Sequence, residues 1–436
     1  MAAIEQEKTG SVFLNGNHGS IAACTTIDLE EARSATESIG ETLPPPYSVF
    51  TRYQRIAIVS IAGLTGLLSP LSSTLYMPAI PTIAIELGIS ISDVNFTITS
   101  YLILQGIAPT IWGSISDSLG RRQLYIATLS VYIGACIGLS INNSYPAILV
   151  LRALQAAGSA STTALGAGLI GDLIHVSKRG GYMGNYSALG GFGTAIGPVL
   201  GGIFAQYTGW HGIFFFLLGL SASMLLVVVL LIPETLRSIV GNGSIPSPRH
   251  LRTPLPGLRP PRVPEERSTL GAKRKVDVLA PIYLLAEPDV VCSLAFTGIC
   301  FMVWQMGMVA AARLYDTEYH LSQLAIGLTY ISNGVGSLCG SVLTGHILNH
   351  DYKRQLRREA GGTEPAPGAE VVEIERARIL GLRLPTLLYI ISVVGFGWAV
   401  QSRVHVSVPI ILGFFMGGLD TMILATFCDC PDPNSS

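Results

Sequence analysis

Two charged residues lie inside stretches that are otherwise apolar, and they are the first candidates for chemistry. Arg152 stands within residues 146–170 with Gln155 one helical turn later, and Asp420 stands within residues 406–427. A charge inside a bilayer is costly, about 2.5–3.5 kcal/mol for arginine on insertion scales, so a charge that is kept there indicates a functional site. Asp420 is the only carboxylate well inside such a stretch, which makes it a candidate proton carrier. For Arg152 the alternative is snorkelling towards the nearer membrane surface.

A second group of charges closes the second apolar stretch. The segment runs from Gly113 through Asp117 and Gly120 to Arg121 and Arg122. A carboxylate, a tight glycine turn and two cations this close together predict a compact charged latch at the end of a helix. Because helix N-termini carry a partial positive charge, the carboxylate can also face helix ends from the opposite half of the fold. Taken alone, the segment would also suit a simple anchor of positive charge at a membrane surface.

Glycines repeat every four residues in the fifth apolar stretch. Gly193, Gly197 and Gly201 lie at i, i+4 and i+8, and Pro198 and Gly202 accompany them. On a helix this spacing produces a smooth face that another helix can approach closely. Pro198 removes one backbone hydrogen bond and predicts a bend. Generic helix packing is the alternative use of such a face.

The composition explains why these residues stand out. Of 436 residues, 49% are hydrophobic and only 13% are charged, and the mean hydropathy is +0.50. A soluble domain carries about 25% charged residues, so the composition predicts a membrane protein with many spans rather than a soluble enzyme. The 27 basic residues nearly balance the 28 acidic ones, which gives no indication of nucleic-acid binding. The seven cysteines mostly stand alone in apolar stretches, so neither a metal site nor a disulfide framework is predicted.

Helices must place these residues in the membrane. A helix needs about 20 apolar residues to cross a bilayer, and no strand-like alternation competes with a helical interpretation. The predicted fold class is therefore all-α, with about ten transmembrane helices. The ten stretches cover residues 56–77, 94–115, 123–141, 146–170, 184–206, 212–232, 290–311, 323–348, 380–400 and 406–427.

Three polar segments flank or separate these helices. Residues 1–50 are acidic and rich in Gly, Ser, Thr and Pro, and are predicted to form a disordered cytosolic tail. Residues 233–288 are rich in Pro and Arg and form a predicted cytosolic loop between a six-helix bundle, 51–232, and a four-helix bundle, 289–427. Within the second bundle, residues 349–379 are predicted to be disordered or to form a surface helix.

The placement of lysine and arginine predicts the orientation in the membrane. With the N-terminus in the cytosol, 24 of the 27 basic residues fall in inside segments. Only Arg313 and Arg403 fall in outside loops, and Arg152 lies within a span. Cytosolic loops of membrane proteins carry the excess of basic residues, so the N-terminus is predicted to be cytosolic.

Together these segments resemble the motifs of the major facilitator superfamily. The latch segment is similar to its loop 2–3 motif, Gly-x-x-x-Asp-x-x-Gly-Arg-Arg, and the segment of Arg152 is similar to its Arg-x-x-Gln-Gly motif, with Ala156 where glycine is usual. The glycine face resembles the Gly-x-x-x-Gly-Pro-x-x-Gly-Gly motif of its proton-coupled exporters. Asp172, Arg179 and Gly184 resemble the pattern usual between spans 4 and 5.

The resemblance covers about residues 50–430 and is strongest to fungal multidrug and quinidine-resistance exporters, which are drug:proton antiporters. It implies two six-helix bundles that rock to expose a site between them alternately to the two sides of the membrane. It also implies that Asp117 and Arg121 latch the cytosolic side and that Arg152 biases proton transfer by a nearby group. The glycine face of the fifth span would seal against the other bundle.

The implied partners are a small amphipathic organic substrate, protons and the lipid bilayer. The resemblance implies a monomeric transporter in the plasma membrane, with the vacuolar membrane as the alternative, and it implies no cofactor, no enzymatic activity and no nucleic acid. Residues that line its cavity should be polar or aromatic and near mid-span. The candidates are Ser72, Tyr76, Gln105, Gln155, Trp304, Gln305, Asn333 and Asp420.

The sequence departs from the family in its number of spans. Members of the family have twelve, whereas this sequence provides ten and becomes abruptly polar at residues 428–436. We interpret this polar tail as aberrant, as expected of a truncated or mis-spliced gene model whose second bundle lacks two helices. A non-functional or scaffolding membrane protein of the same lineage is therefore one alternative to an exporter, and an importer of the same fold is another.

Overall fold

The structure is all-helical wherever it is described. This computed structural model describes residues 47–248, 254, 287–359 and 374–428. No strand occurs among these residues, which confirms the predicted all-α class for this part of the chain. Residues 1–46 of the predicted tail, most of the predicted loop 233–288 and residues 360–373 lie outside the described residues, as does the predicted polar tail after Cys428.

Nine helices of uneven length form within residues 47–248. Thr51 and Ser90 start two of them with capping boxes, and Gly88 ends another in the left-handed region at φ 64°. The helices are α1 Arg52–Gly66, α2 Leu68–Leu75, α3 Ile80–Leu87, α4 Ile91–Leu119, α5 Arg121–Ile141, α6 Tyr145–Leu173, α7 Val176–Tyr207, α8 Trp210–Leu231 and α9 Arg237–Val240.

The first span is longer and more broken than the predicted stretch 56–77. It runs over Arg52–Leu87 as α1, α2, a 3₁₀ turn at Met77–Ala79 and α3. Two prolines explain the interruptions, because a proline has no N–H to donate to the carbonyl four residues earlier. Pro70 follows the break between α1 and α2 by a few residues, and Pro78 lies in the 3₁₀ turn.

Four helices follow in the second half of the described chain. They are α10 Pro288–Thr317, α11 Gln323–Glu359, α12 Ile374–Gln401 and α13 Ser407–Cys428. The helix α11 continues through residues 349–359, which are the start of the predicted loop 349–379.

Eight helical segments within the described ranges combine the length and the apolar composition of a membrane span. The predicted count of ten also includes α4 and α6. Each of these is 29 residues long, enough to cross a bilayer, but neither contains an apolar stretch like those of the other eight.

The buried side chains form two cores in the first half and one in the second. Tyr132 and Trp210 lie in one core of the first half, and Tyr125 and Leu169 lie in the other. The core of the second half consists of side chains from α10, α11, α12 and α13 and includes Trp304. Two bundles of helices are therefore packed separately, and α7 and α11 provide the main contact between them.

Helix α7 is held between two neighbours by close contacts at its glycines. A methyl group added at Gly197 would lie 2.0 Å from Thr74 Oγ1, and one added at Gly201 would lie 2.1 Å from the carbonyl oxygen of Leu75. Both neighbours belong to α2 in the same bundle. The contact with α11 of the other bundle is made at Gly202, where an added methyl group would lie 2.5 Å from the carbonyl oxygen of Gln323.

Within the predicted motif, Pro198 and Gly202 contact the second bundle, whereas the three evenly spaced glycines contact the first span. Gly193, Gly197 and Gly201 face the first span, with Leu67 next to Gly193. Towards the second bundle, Pro198 presents its carbonyl oxygen to Gly327 of α11. The glycine spacing predicted a close helix contact but could not determine which of two neighbours it faces.

The close approach at Gly201 can be tested by adding one methyl group. We expect Gly201→Ala to lower the melting temperature of the purified protein in detergent, because overpacking against the backbone typically costs about 1–3 kcal/mol. Gly190→Ala is the matched control on the same helix, since an added methyl group there meets no atom within 4 Å. The control should be neutral or slightly stabilising, because alanine favours helices. Equal melting temperatures for the two variants would contradict this packing.

Candidate functional site

Three helix ends meet at a cluster of charges, which we call the charged end of the first bundle: Asp117, Arg121, Asp172 and Glu234. Arg121 Nη2 lies 2.9 Å from Asp117 Oδ1, and Arg121 Nε donates to Asp172 Oδ2 at 3.0 Å. The side chains of Arg121 and Asp172 are 11% and 14% exposed, against 40% for Asp117. The shielded pair is thus Arg121–Asp172, and the latch joins the ends of α4 and α6 to the start of α5.

Glu234 completes the charged end by holding the first residues of α5. Its Oε1 accepts from the N–H of Arg121 at 2.9 Å, and its Oε2 accepts from the N–H of Arg122 at 3.3 Å. The N–H groups of Thr235 and Leu236 also donate to Oε1, both at 3.0 Å. A carboxylate at this place satisfies free N–H groups and opposes the partial positive charge of a helix N-terminus.

Burial and hydrogen bonding have opposite effects on the pKa of the Glu234 carboxyl group. Burial raises the pKa of Glu234, and the backbone N–H donors oppose part of that rise. Gly120 makes the close approach possible: its φ is 112°, which L side chains rarely adopt, and an added methyl group would lie 2.5 Å from Glu234 Oε2. The predicted glycine turn therefore admits a carboxylate from a distant part of the sequence.

The remaining predicted residues at this end make backbone contacts and no ion pair within the described ranges. Arg122 Nη2 donates to the carbonyl oxygen of Val229 at 2.7 Å, and Arg179 Nη2 donates to the carbonyl oxygen of Gly171 at 3.3 Å. Gly113 lies where α4 has open space beside it. Arg179 therefore binds the end of α6 without pairing with Asp172.

A short segment before α1, which we call the strap, packs against the charged end of the first bundle. The hydroxyl of Tyr47 donates to the carbonyl oxygen of Gly171 at 2.9 Å, and the guanidinium of Arg237 lies 3.6 Å from the centre of the Tyr47 ring. Arg237 Nε also donates to the carbonyl oxygen of Asp172 at 3.0 Å. The packed chain therefore begins before residue 50, where the predicted disordered tail ends.

Arg152 lies in the interior of the first bundle and does not snorkel to a surface. It is 1% exposed, and its guanidinium carbon lies 4.3 Å and 4.4 Å from the ring centres of Tyr76 and Tyr101. Its Nη1 donates to Gln155 Oε1 at 2.6 Å and to the carbonyl oxygen of Ser72 at 3.5 Å. We call these five residues the Arg152 cage. It brings together four predicted residues and adds Tyr101.

Hydrogen bonds fix the two rings of the cage and connect it to a further predicted residue. The hydroxyl groups of Tyr76 and Thr97 are 3.0 Å apart. The Tyr101 hydroxyl donates to the carbonyl oxygen of Ser69 at 3.1 Å, and Gln105 Nε2 donates to Ser69 Oγ at 3.2 Å. One residue of the first span thus bridges the cage to Gln105.

A cavity of about 970 Å³ lies between α4 of the first bundle and α10 of the second. Gln105 and Gln305 line it from opposite bundles, among mostly apolar neighbours. Two charged residues, Arg313 and Glu318, also line it. Glu318 is already neutralised, since its Oε2 lies 2.6 Å from Arg403 Nη2.

The other candidates lie in the core of the second bundle, apart from the Arg152 cage. Asn333 Nδ2 donates to the carbonyl oxygen of Gly413 at 3.1 Å, whereas Asn333 Oδ1 and Trp304 Nε1 are buried without a partner among the described residues. Asp420 is 6% exposed and forms no ion pair or hydrogen bond with a described residue. The predicted cavity residues therefore occupy three places instead of one.

Two residues that build the site were not predicted from the sequence. Glu234 stands in the short segment after α8, where an isolated acid next to a buried span could have signalled a partner for the latch. Tyr101 lies one helical turn before Gln105 and so shares its face of α4, which could have marked it as a neighbour.

Known proteins resemble this chain over most of its length. The model of the Major Facilitator Superfamily matches residues 62–435. Citrate exporter 1 of Aspergillus niger is 38% identical over 399 residues, which are 86% of this chain and 74% of the relative. The MFS antiporter QDR2 of Candida albicans is 30% identical over 390 residues, which are 88% of this chain and 77% of the relative.

Two solved structures share the fold at low identity. The xylose transporter XylE from E. coli, in a partially occluded inward open conformation, aligns with a TM-score of 0.58 and 15% identity over 86% of this chain and 84% of that chain. The human organic anion transporter MFSD10 (TETRAN) aligns with a TM-score of 0.52 and 18% identity over 88% of this chain and 86% of that chain. At this level of identity the likeness is one of fold.

The carboxylate that holds α5 can be tested by its removal. We expect Glu234→Ala to lower the free energy of unfolding by about 3 kcal/mol, because buried N–H groups left without an acceptor cost about 1–3 kcal/mol each. Melting of the purified protein in detergent measures the effect. Glu287→Ala is the control, since Glu287 is exposed and its side chain caps no helix. If both variants melt like the parent, Glu234 does not stabilise the charged end.

Proposed function

Because this chain belongs to the major facilitator superfamily, we propose that it is a proton-coupled secondary transporter that exports small amphipathic organic compounds by alternating access. Membership of the family makes it a multi-pass membrane protein and a transporter, not an enzyme. The proton coupling, the cargo and the direction are the parts that we propose.

The cavity between the two bundles is the observation that carries the proposal. Its volume of about 970 Å³ is in the range of sites for small organic molecules, and α4 and α10 contribute one wall each. Rocking of one bundle against the other would change both walls together, which is how a site at a bundle interface becomes accessible from alternate sides. Gln105 and Gln305 provide polar contacts from the two walls.

Asp420 supports the coupling to protons. A buried carboxyl group that has no ion-pair partner in the described structure is free to exist with or without its proton, as a carrier requires. One proton that crosses 100 mV releases about 2.3 kcal/mol, which can sustain a gradient of roughly fortyfold in the cargo. The energy of one proton per cargo molecule is therefore sufficient for export.

The charge distribution supports the orientation. The excess of basic residues in the segments joined to the charged end supports the proposal that this end, and the N-terminus, face the cytosol. There the Arg121–Asp172 pair and the strap at Tyr47 would hold the first bundle rigid at the side from which the cargo enters. The plasma membrane is the proposed location.

The names of the relatives allow cargoes of different chemistry. One relative is a citrate exporter and another is called an antiporter of the QDR2 type. Citrate and an amphipathic cation such as ethidium are therefore suitable first probes of transport by this chain.

Transport in reconstituted vesicles tests the coupling. We expect an imposed pH gradient to drive uptake of at least one of the two probes into vesicles that contain the purified full-length chain. Asp420→Asn should lower this gradient-driven uptake about tenfold or more, while exchange of labelled for unlabelled probe without a gradient persists. The control Glu287→Gln removes an exposed carboxylate and should behave like the parent.

The possible results separate the two parts of the proposal. If no pH gradient stimulates transport by the parent chain, proton-coupled export is wrong. If Asp420→Asn keeps the pH dependence of the parent, Asp420 is not the proton carrier.

A further inference from the structure

We infer that the cargo carries an anionic group of the carboxylate type and that this group binds to Arg152. The inference rests on the proposed function, because it names the chemistry of the compound that the same transporter would carry. It starts from a charge without a counter-charge: Arg152 is 1% exposed, and no acidic side chain in the described ranges forms an ion pair with it.

The cage around Arg152 consists of neutral groups. Two tyrosine rings, one amide oxygen of Gln155 and one backbone oxygen of Ser72 surround the guanidinium. Such contacts compensate part of the lost hydration, but they leave the positive charge in place. A buried cation that lacks a counter-charge attracts an anion strongly, because the protein interior screens charges much less than water does.

The free edge of the guanidinium has the geometry that a carboxylate needs. Both hydrogen bonds of Arg152 come from Nη1, and Nε donates to no group in the described structure. Nε and Nη2 point along the other edge of the planar fork, from which arginine binds a carboxylate through two parallel hydrogen bonds. The rings of Tyr76 and Tyr101 lie next to the guanidinium carbon, so the edge formed by Nε and Nη2 is the part of the fork that has no hydrogen-bond acceptor among the described residues.

The charged residues that line the cavity between the bundles also favour an anion. Arg313 lines it and forms no ion pair with a described residue, whereas the one acid that lines it, Glu318, is neutralised by Arg403. The rest of the lining is largely apolar, with Leu102 and Phe301 among its members. A small organic acid with an apolar body fits both the charge and the surface of this cavity.

Equilibrium binding to the purified full-length chain tests the inference without any transport. Naphthalene-1-carboxylate, naphthalene-1-carboxamide and 1-naphthylmethylammonium share one ring system and differ in charge. We expect the carboxylate to bind at least about tenfold more tightly than the other two probes, since hydrogen bonds between charged groups contribute more to binding than hydrogen bonds between neutral ones. Similar affinities for the three probes, or no saturable binding of the carboxylate, would overturn the inference.

Variants at Arg152 assign the preference to this residue. Arg152→Gln should abolish the preference for the carboxylate, and Arg152→Lys should keep part of it, because it keeps the charge and loses the fork. Arg52→Gln removes an exposed cation at the start of α1 and should leave the three affinities unchanged. If Arg152→Gln melts at a lower temperature but still prefers the carboxylate, Arg152 only holds the helices together and the inference is wrong.

Failure of this inference can be told apart from failure of the proposed function. If a pH gradient drives no transport but the parent chain binds the carboxylate through Arg152, the coupling is wrong and the anion site stands. If a pH gradient drives transport and the three probes bind equally, the anion site is wrong and the transporter stands. If Arg152→Gln is too unstable to purify, the charge series on the parent and Arg152→Lys decides the question.

Discussion

A positive charge enclosed in the first bundle is the constraint on which its surroundings depend. The guanidinium of Arg152 has left water, and groups from separate parts of the chain replace its hydration: Ser72 from α2, Tyr76 after α2, Tyr101 from α4 and Gln155 from its own helix. The energetic cost of the charge is therefore distributed over three spans.

The two arginines of the first bundle are compensated in opposite ways. Arg121 contacts two carboxylates at the charged end, and Glu234 holds the backbone that carries it. Arg152 contacts neutral groups alone within the described structure. A compensated charge at a helix end stabilises one arrangement of helices, whereas an uncompensated charge in the interior remains available to a mobile ion. Its position and its partners therefore make Arg121 a residue that stabilises the fold, whereas Arg152 remains available to bind a ligand.

Much of the fold could be predicted from the sequence, because span length, apolar composition and turn residues are local properties. The helices lie close to the predicted stretches, and Arg121 finds Asp117 one turn away as its spacing requires. Contacts between distant segments could not be predicted in the same way. Nothing local to Glu234 shows that it binds the start of α5, and the glycine spacing of α7 fixes a smooth face without identifying the neighbour. The interruptions of the first span likewise depend on how Pro70 and Pro78 are accommodated.

The glycine contacts on both flanks of α7 also have a consequence for the movement that we propose between the bundles. Interlocked side chains resist sliding, because each step requires ridges to leave their grooves. Gly201 meets the carbonyl oxygen of Leu75, Gly202 meets that of Gln323, and Gly197 lies against the short side chain of Thr74. We expect such surfaces to permit shear along the helix axis while preventing separation. Helix α7 would then be the surface along which the second bundle slides when the transporter changes conformation.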